Sequence, residues 1–494
     1  MNFSLTRQGQ SGVLTRMTVV LAAFLLFGIH APLSIVAQNR QATSAQREGD
    51  ALALRDAVAL MQAGKLDEAE RIVRRVVTAQ PQNPDAHTLL GVILDQRKQF
   101  ALAEREYLEA LRLNPQSVSA QTNLGVLLAR QGRSREAIHH FESVLRQVPD
   151  HPQASFNLGL QYAARGDYLR AAALFERLNR LRPQTFEYLF NLGTALFNLK
   201  RFDEAAAALE SASALKPTAP EPLYYLGLLA SARGQKEEAV DFWQRALKLR
   251  PEFSAASFMI GEELRKHRHY EKAAEFYERA LEQDASRLVH YVRLGGVYLL
   301  LLRYDRALQI FQQAAARFPQ IAEAHYFVGL AARGLGTYDV ASAAFLRTLE
   351  LQPQNVDALA QLGFIAGERG EFEEAEKLLR RAINLGDKHF FAHYDLGRLL
   401  VRQKRYEEAV PLLNRGAALK ATHPDVHYQL FIAFSRLKRK DEAERELTLF
   451  KKLDEERKRR EKEGESEQED YLQDATTPPP LLQEPANNPD RKIP

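Results

Sequence analysis

Residues 84–117 read PDAHTLLGVILDQRKQFALAEREYLEALRLNPQS, and this stretch decides the fold. Leu90-Gly91 sits inside one apolar run at helical spacing, and Ala103, Tyr107 and Ala110 mark a second. Pro115 closes the second run, because a proline lacks the N–H that would continue a helix. A short polar turn separates the runs, and no alternating strand pattern is present. The stretch reads helix, tight turn, helix, stop.

The same marks recur every 34 residues in both directions. Gly91, Gly125, Gly159, Gly193, Gly227, Gly261, Gly295, Gly329, Gly363 and Gly397 keep register without a slip. Alanines follow the same period from Ala69 to Ala443, and prolines follow it at Pro81, Pro115, Pro149, Pro183, Pro217, Pro251, Pro319 and Pro353. Only 26 of 494 residues are glycine, so ten in one register do not arise by accident. Glycine and alanine are the residues that let two helix backbones approach closely. Gly64, Gly132, Gly166, Gly234, Gly336 and Gly370 stand in the turns. Acidic starts such as Asp203-Glu204, Glu237-Glu238 and Glu373-Glu374 follow the turns and suit a helix N-terminus through capping and the macrodipole. Trp243, four residues after Ala239, falls in an aromatic core slot.

Leu-Gly, then Ala, then an aromatic or Leu four residues later, then Pro, all within 34 residues, resembles the tetratricopeptide repeat family. The resemblance covers about twelve units over residues 50–457, and a pentatricopeptide period of about 35 does not fit. It implies an all-α fold, a right-handed superhelical solenoid, in which the first helix of each unit lines a concave face that binds ligands. The two ends depart from the pattern. Asp56-Ala57 stands where later units carry Leu-Gly, and Phe431 occupies the last glycine position, as capping repeats require. The units ending near Ala285 and Asp387 lack the proline.

Outside the repeats, Arg7 and Arg16 flank an uncharged apolar run from Met17 to Ile29 within residues 1–37. Two readings stand: a signal peptide cut after Ala37, or an uncleaved anchor over residues 17–37, a length that just spans a bilayer. The protein is accordingly expected to be exported, periplasmic or secreted, or else held in the inner membrane by that segment alone. Residues 38–49 read as a polar linker. Residues 458–494 read as a helix extension, in which both charge signs interleave up to Glu463, followed by a disordered acidic and Pro-rich tail. The absence of cysteine removes disulfides, thiolate catalysis and Cys-ligated zinc. A net charge of +4 is small for this length, and no Lys/Arg stripe with interleaved aromatics marks a nucleic-acid partner.

Candidate binding residues come from the first helices. Their fifth position reads Phe156, Phe190, Tyr224, Phe258, Val292, Tyr326, Ala360, Tyr394 and Tyr428. One turn on, the same face carries Leu160, Thr194, Leu228, Glu262, Gly296, Leu330, Phe364, Arg398 and Ile432. Two readings are open and compatible: an aromatic-apolar groove that anchors a peptide, or rings packed between neighbouring repeats. Asn123, Asn157 and Asn191 precede Leu-Gly in three successive units. They resemble the asparagine ladder in the repeat arm of O-linked N-acetylglucosamine transferases. An amide can donate to and accept from a peptide backbone, although Asn-Leu-Gly also occurs for structural reasons.

Histidines 87, 325, 393 and 427 share a register. Equivalent positions in adjacent repeats lie roughly 10 Å apart, too far for a shared zinc, so no metal and no cofactor is expected. No phosphate loop, His-Glu-x-x-His helix or Gly-x-Ser-x-Gly elbow is present, and no enzyme domain is expected after the repeats. The carboxylate-clamp pattern of chaperone-binding relatives, Lys at position five with Asn at nine, is absent from every unit. The expected function is a non-catalytic scaffold of the cell envelope that holds a protein or peptide. The competing expectations are a recruitment subunit for a separately encoded envelope enzyme, such as a glycosyltransferase or peptidase, and a structural assembly factor of an envelope complex.

Overall fold

The computed structural model describes residues 44–462. Every regular element among them is an α-helix, from Ser44–Gln62 to Lys440–Lys462. The helices pair into twelve repeats, each with a first helix A and a second helix B. Repeats 2 to 12 open their A helices at Pro84, Val118, Pro152, Phe186, Pro220, Ser254, Leu288, Ala322, Val356, Phe390 and Pro424. The described chain divides into two compact bodies, one ending at Arg250 and the other beginning at Pro251. Repeats 1–6 belong to the first body and repeats 7–12 to the second. Within each body an A helix packs on its own B helix, and that B helix packs on the next A helix.

The first helix begins at Ser44, ahead of the boundary read at Asp50. At the other end the last B helix continues to Lys462, where Lys458 Nζ pairs with Asp454 at 2.7 Å one turn earlier. The apolar segment of residues 1–37 and the tail of residues 465–494 lie outside the described residues. No helix among the described residues is long and apolar enough to cross a membrane.

The glycines of the Leu-Gly pairs are explained by what faces them. A Cβ on Gly227 would stand 2.6 Å from Trp243 Cδ1, one on Gly125 would stand 2.7 Å from Phe141 Cε1, and one on Gly193 would stand 2.6 Å from Leu209 Cγ. In each repeat the space above the glycine is filled by the large B-helix side chain four residues after the register alanine. Trp243, Tyr107, Tyr277, Phe141, Phe175, Phe311 and Phe345 are all fully buried in this way. The close approach is thus between a backbone and a large side chain, a ring in most repeats and a leucine at Gly193, Gly363 and Gly397, supported by an alanine that is itself buried, as at Ala103 and Ala239.

Helix starts divide by position. Several A helices take a side-chain cap, as where Asn83 accepts from the amides of Asp85 and Ala86, and Asn355 from that of Ala358. B helices mostly lack one. Their acidic residues act instead inside the first turn, where the residue before the helix is often an arginine that grips the glutamate three residues on. Arg133–Glu136, Arg201–Glu204 and Arg405–Glu408 pair at 2.6–2.7 Å. The bond from Arg133 holds the Glu136 carboxyl below its ordinary range.

The turn between A and B needs a left-handed residue. Gly64, Gly132, Gly166, Gly234, Gly336 and Gly370 supply it with φ between 72° and 80°. Six other turns force a side chain into that region, among them Leu302 with φ 55°, whose side chain is 60% exposed. Left-handed backbone costs an L residue about 1–2 kcal/mol, partly offset by the greater freedom of glycine in the unfolded chain. Leu302→Gly is therefore expected to stabilise the second body by about 0.5–1 kcal/mol. A thermal melt in which the variant unfolds earlier than the parent would contradict this.

Candidate functional site

The ring positions of the A helices share a contact pattern. Phe156 packs on Phe175 of its own B helix at 5.9 Å and on Tyr188 of the next A helix at 5.6 Å. Phe258 does the same with Tyr277 at 5.5 Å and His290 at 5.2 Å. Tyr394 stacks on Phe390 at 5.8 Å and meets His423 of the next repeat at 5.5 Å. Phe190 meets Tyr225 edge-on at 5.8 Å, and Tyr326 packs on Phe345 at 5.6 Å. Phe156, Phe190, Phe258 and Tyr394 join neighbouring repeats, and they and Tyr326 are all half-buried. Tyr428 is 41% exposed, whereas Tyr224, Leu160, Leu228 and Leu330 are buried. Tyr224 is held further by its carbonyl, which accepts from Trp243 Nε1 at 3.1 Å.

Asn123, Asn157 and Asn191 are half-buried in three successive A helices of the first body. Asn157 Nδ2 donates to the Gln153 carbonyl at 2.8 Å, and Asn191 Nδ2 to that of Glu187 at 2.7 Å. Asn157 and Asn191 thus each spend one donor on their own helix. That bond fixes the rotamer and keeps the amide oxygen as an acceptor. Asn198 repeats the device two turns on by donating to the Thr194 carbonyl at 2.8 Å.

The register histidines have a local task. His87, His325, His393 and His427 each place Nε2 at 2.9–3.1 Å from the carbonyl six residues earlier, on Pro81, Pro319, Asp387 and Ala421. Gln121 donates to the Pro115 carbonyl at 2.7 Å in the same way. These side chains pin the turn between repeats. No group of three or more His, Asp or Glu among the described residues is placed to hold a metal.

A charged cluster is built into the A-helix face of the second body. Glu262 meets Arg293 Nε of the next repeat at 2.7 Å and Arg265 Nη2 at 3.5 Å, and it accepts from the Tyr277 hydroxyl. Burial and the Glu262 carboxylate push the Tyr277 hydroxyl well above its ordinary range.

Further along, the guanidinium groups of Arg333 and Arg398 both lie over the Phe364 ring, at 5.4 and 5.2 Å from its centre. Arg333 also donates to Gln361, and Arg398 pairs with Glu368 at 2.9 Å. Beside them opens a cavity of about 260 Å³ lined by Phe364, Gly367, Asp395, Arg398, Arg402 and Gln429, among others. Burial pushes the Asp395 carboxyl up to about 6, against the pull of Arg398 and Arg333. Phe364 and Arg398 stand on the face that the periodicity marks. Asp395 and Gly367 carry no sequence signal, because the cavity they share also draws its lining from neighbouring repeats, as where Arg402 donates to the Gly367 carbonyl.

Sequence comparison explains the repeat. Family models described as tetratricopeptide repeat match residues 54–118, 122–184, 160–220, 294–356 and 361–424 with one model. Others match residues 220–253, 344–377 and 254–287. The first model alone covers more than half of the chain. The chain belongs to the tetratricopeptide repeat family. Proteins of this family are generally non-catalytic scaffolds that bind other proteins. A comparison with curated proteins finds no match. Among solved structures, yeast Tom70 is similar at 15% identity, with 80% of this chain and 97% of that one covered and a TM-score of 0.35. The APC/C hetero-tetramer Cut9-Hcn1 is similar at 13% identity, with 88% and 98% covered and a TM-score of 0.41. The pilF protein of Pseudomonas aeruginosa is similar at 20% identity, with 44% and 99% covered and a TM-score of 0.40.

Proposed function

We propose that this tetratricopeptide repeat protein is an envelope scaffold that holds a protein or peptide along its A-helix face, as a concave groove would. The observation that carries the reading is the run of half-buried rings and amides at matching positions of consecutive repeats: Phe156, Asn157, Phe190 and Asn191. Half-buried rings supply anchors that lose water on binding, and amides with a fixed rotamer hold a backbone in register. Arg7 and Arg16, ahead of the apolar run Met17–Ile29, support export or tethering, since a charged flank before such a run is read by the export machinery.

The test is a photo-crosslinking residue placed singly at Asn157, at Asn191 and at Leu169, which is 67% exposed on a B helix. It is carried by the full chain in fractionated native envelopes and read by mass spectrometry. Adducts to one protein are expected from the two asparagine positions and not from Leu169. Phe156→Ala with Phe190→Ala should weaken capture of that protein at least tenfold, since aromatic anchors are commonly worth about 2 kcal/mol or more each. Adducts from Leu169 alone, in a fraction without envelope, would overturn both the face and the location.

A further inference from the structure

The cavity beside Phe364, within repeats 10–12, has a balanced charge: Glu368 and Asp395 face Arg398 and Arg402. Three of these four groups are engaged. Arg398 pairs with Glu368 at 2.9 Å, and Arg402 donates to the Gly367 carbonyl at 3.2 Å while lying 5.0 Å over the Phe372 ring. Asp395 is not engaged in this way. Its side chain is 10% exposed, it accepts no hydrogen bond from the described residues, and Arg398 approaches it only to 3.6 Å. The Asp395 side chain is nine-tenths buried yet lines an open cavity with no hydrogen-bond donor from the protein, which points to a ligand that brings one.

The charge balance narrows that ligand. A lysine or arginine would add a third cation beside Arg398 and Arg402. An acid would face Asp395 across the cavity and leave it still without a donor. An amide meets both needs, because its N–H can serve Asp395 and its oxygen can accept from Arg402 or Gln429. Room for it comes from Gly367. An added Cβ there would only touch Ala375 and Leu399 at 3.9 Å, but a longer side chain would fill the space. Leu379, Leu399 and Val401 supply apolar walls for the stem that carries the amide.

We propose that this cavity is a socket for an amide of a bound peptide, with the N–H on Asp395 and the carbonyl on Arg402 or Gln429. It rests on the groove reading above. The amide has two possible sources, an Asn or Gln side chain or the peptide main chain.

The test uses a displayed library of random heptapeptides captured by the full chain, followed by synthetic copies of the strongest binders. If a side chain enters, Asn or Gln is enriched at one position and replacing it by Leu weakens binding at least tenfold. If the main chain enters, N-methylation of one peptide bond produces that loss instead. In either case Asp395→Leu should remove the tenfold difference while the chain stays helical and still binds the peptide weakly. Arg402→Ala should remove part of the difference, and it serves as the second variant should Asp395→Leu unfold. Enrichment of Lys or Arg, or of Asp or Glu, overturns the amide socket. So does a peptide affinity indifferent to both substitutions. A library from which no peptide is captured overturns the groove reading and the socket together.

Discussion

Gly227→Leu is expected to lower the unfolding free energy of the first body by about 3 kcal/mol or more. The site has no slack. Trp243 is fully buried, and a Cβ on Gly227 would stand 2.6 Å from its Cδ1 and 2.7 Å from its Cε2. A leucine forces the indole out of its rotamer, and overpacking alone costs about 1–3 kcal/mol. The displaced indole also loses its bond to the Tyr224 carbonyl at 3.1 Å, which leaves buried polar groups unpaired at about 1–3 kcal/mol. Because each repeat couples chiefly to its neighbours, amide exchange should rise first in repeats 5 and 6. An unchanged melt with unchanged protection there would show that the ring does not occupy the space over the glycine.

Glu262→Leu is expected to destabilise the second body by about 3–5 kcal/mol, and adding Arg293→Leu should restore most of the loss. The carboxylate is the common partner of Arg293, Arg265 and the Tyr277 hydroxyl, and the side chains of Glu262 and Arg293 are only 13% and 9% exposed. Removing the acid alone takes away the carboxylate that the largely buried Arg293 and Arg265 share. Removing the acid and Arg293 together replaces a desolvated ion pair with apolar volume, which is often neutral or stabilising. Chemical denaturation of the two variants measures both effects. A double variant less stable than Glu262→Leu alone would mean that Arg293 stabilises the body through its other contacts.

The contrast between these sites shows what the sequence contains. The Gly227 register is legible without coordinates because it recurs ten times at the same spacing, and a repeated mark averages out local accident. The cluster around Glu262 occurs once. A glutamate on a helix face reads as solvated, and only the packing of Tyr277 and Arg293 from neighbouring helices turns it into a buried centre.

The candidate site divides along the same line. The ring positions and the Asn123, Asn157, Asn191 series could be numbered from the sequence, since one face of a helix is fixed by its 3.6-residue period. How far each residue is open to a partner could not. Phe190 is half-buried while Tyr224, at the same position one repeat later, is 4% exposed. The difference is made by the neighbouring repeats, which the helix period does not describe. The histidines follow the same logic: their register was plain, and their bond to the carbonyl six residues back required the turn geometry.

The sequence by itself determined the helix pairs, the repeat register and the family, because these depend on local periodicity and on small residues at fixed intervals. Tertiary structure alone decided that a large B-helix side chain, a ring in seven repeats and a leucine in three, sits over each glycine of the Leu-Gly register. It also decided that arginine–glutamate pairs open many B helices, and that Asp395, Arg402 and Gly367 surround one cavity. Those arrangements join side chains separated by a whole repeat or by a turn of uncertain geometry, and their energies depend on burial and on which partner each charge finds. A linear pattern specifies which face a residue occupies, whereas the dielectric and the partners around it exist only once neighbouring repeats have packed.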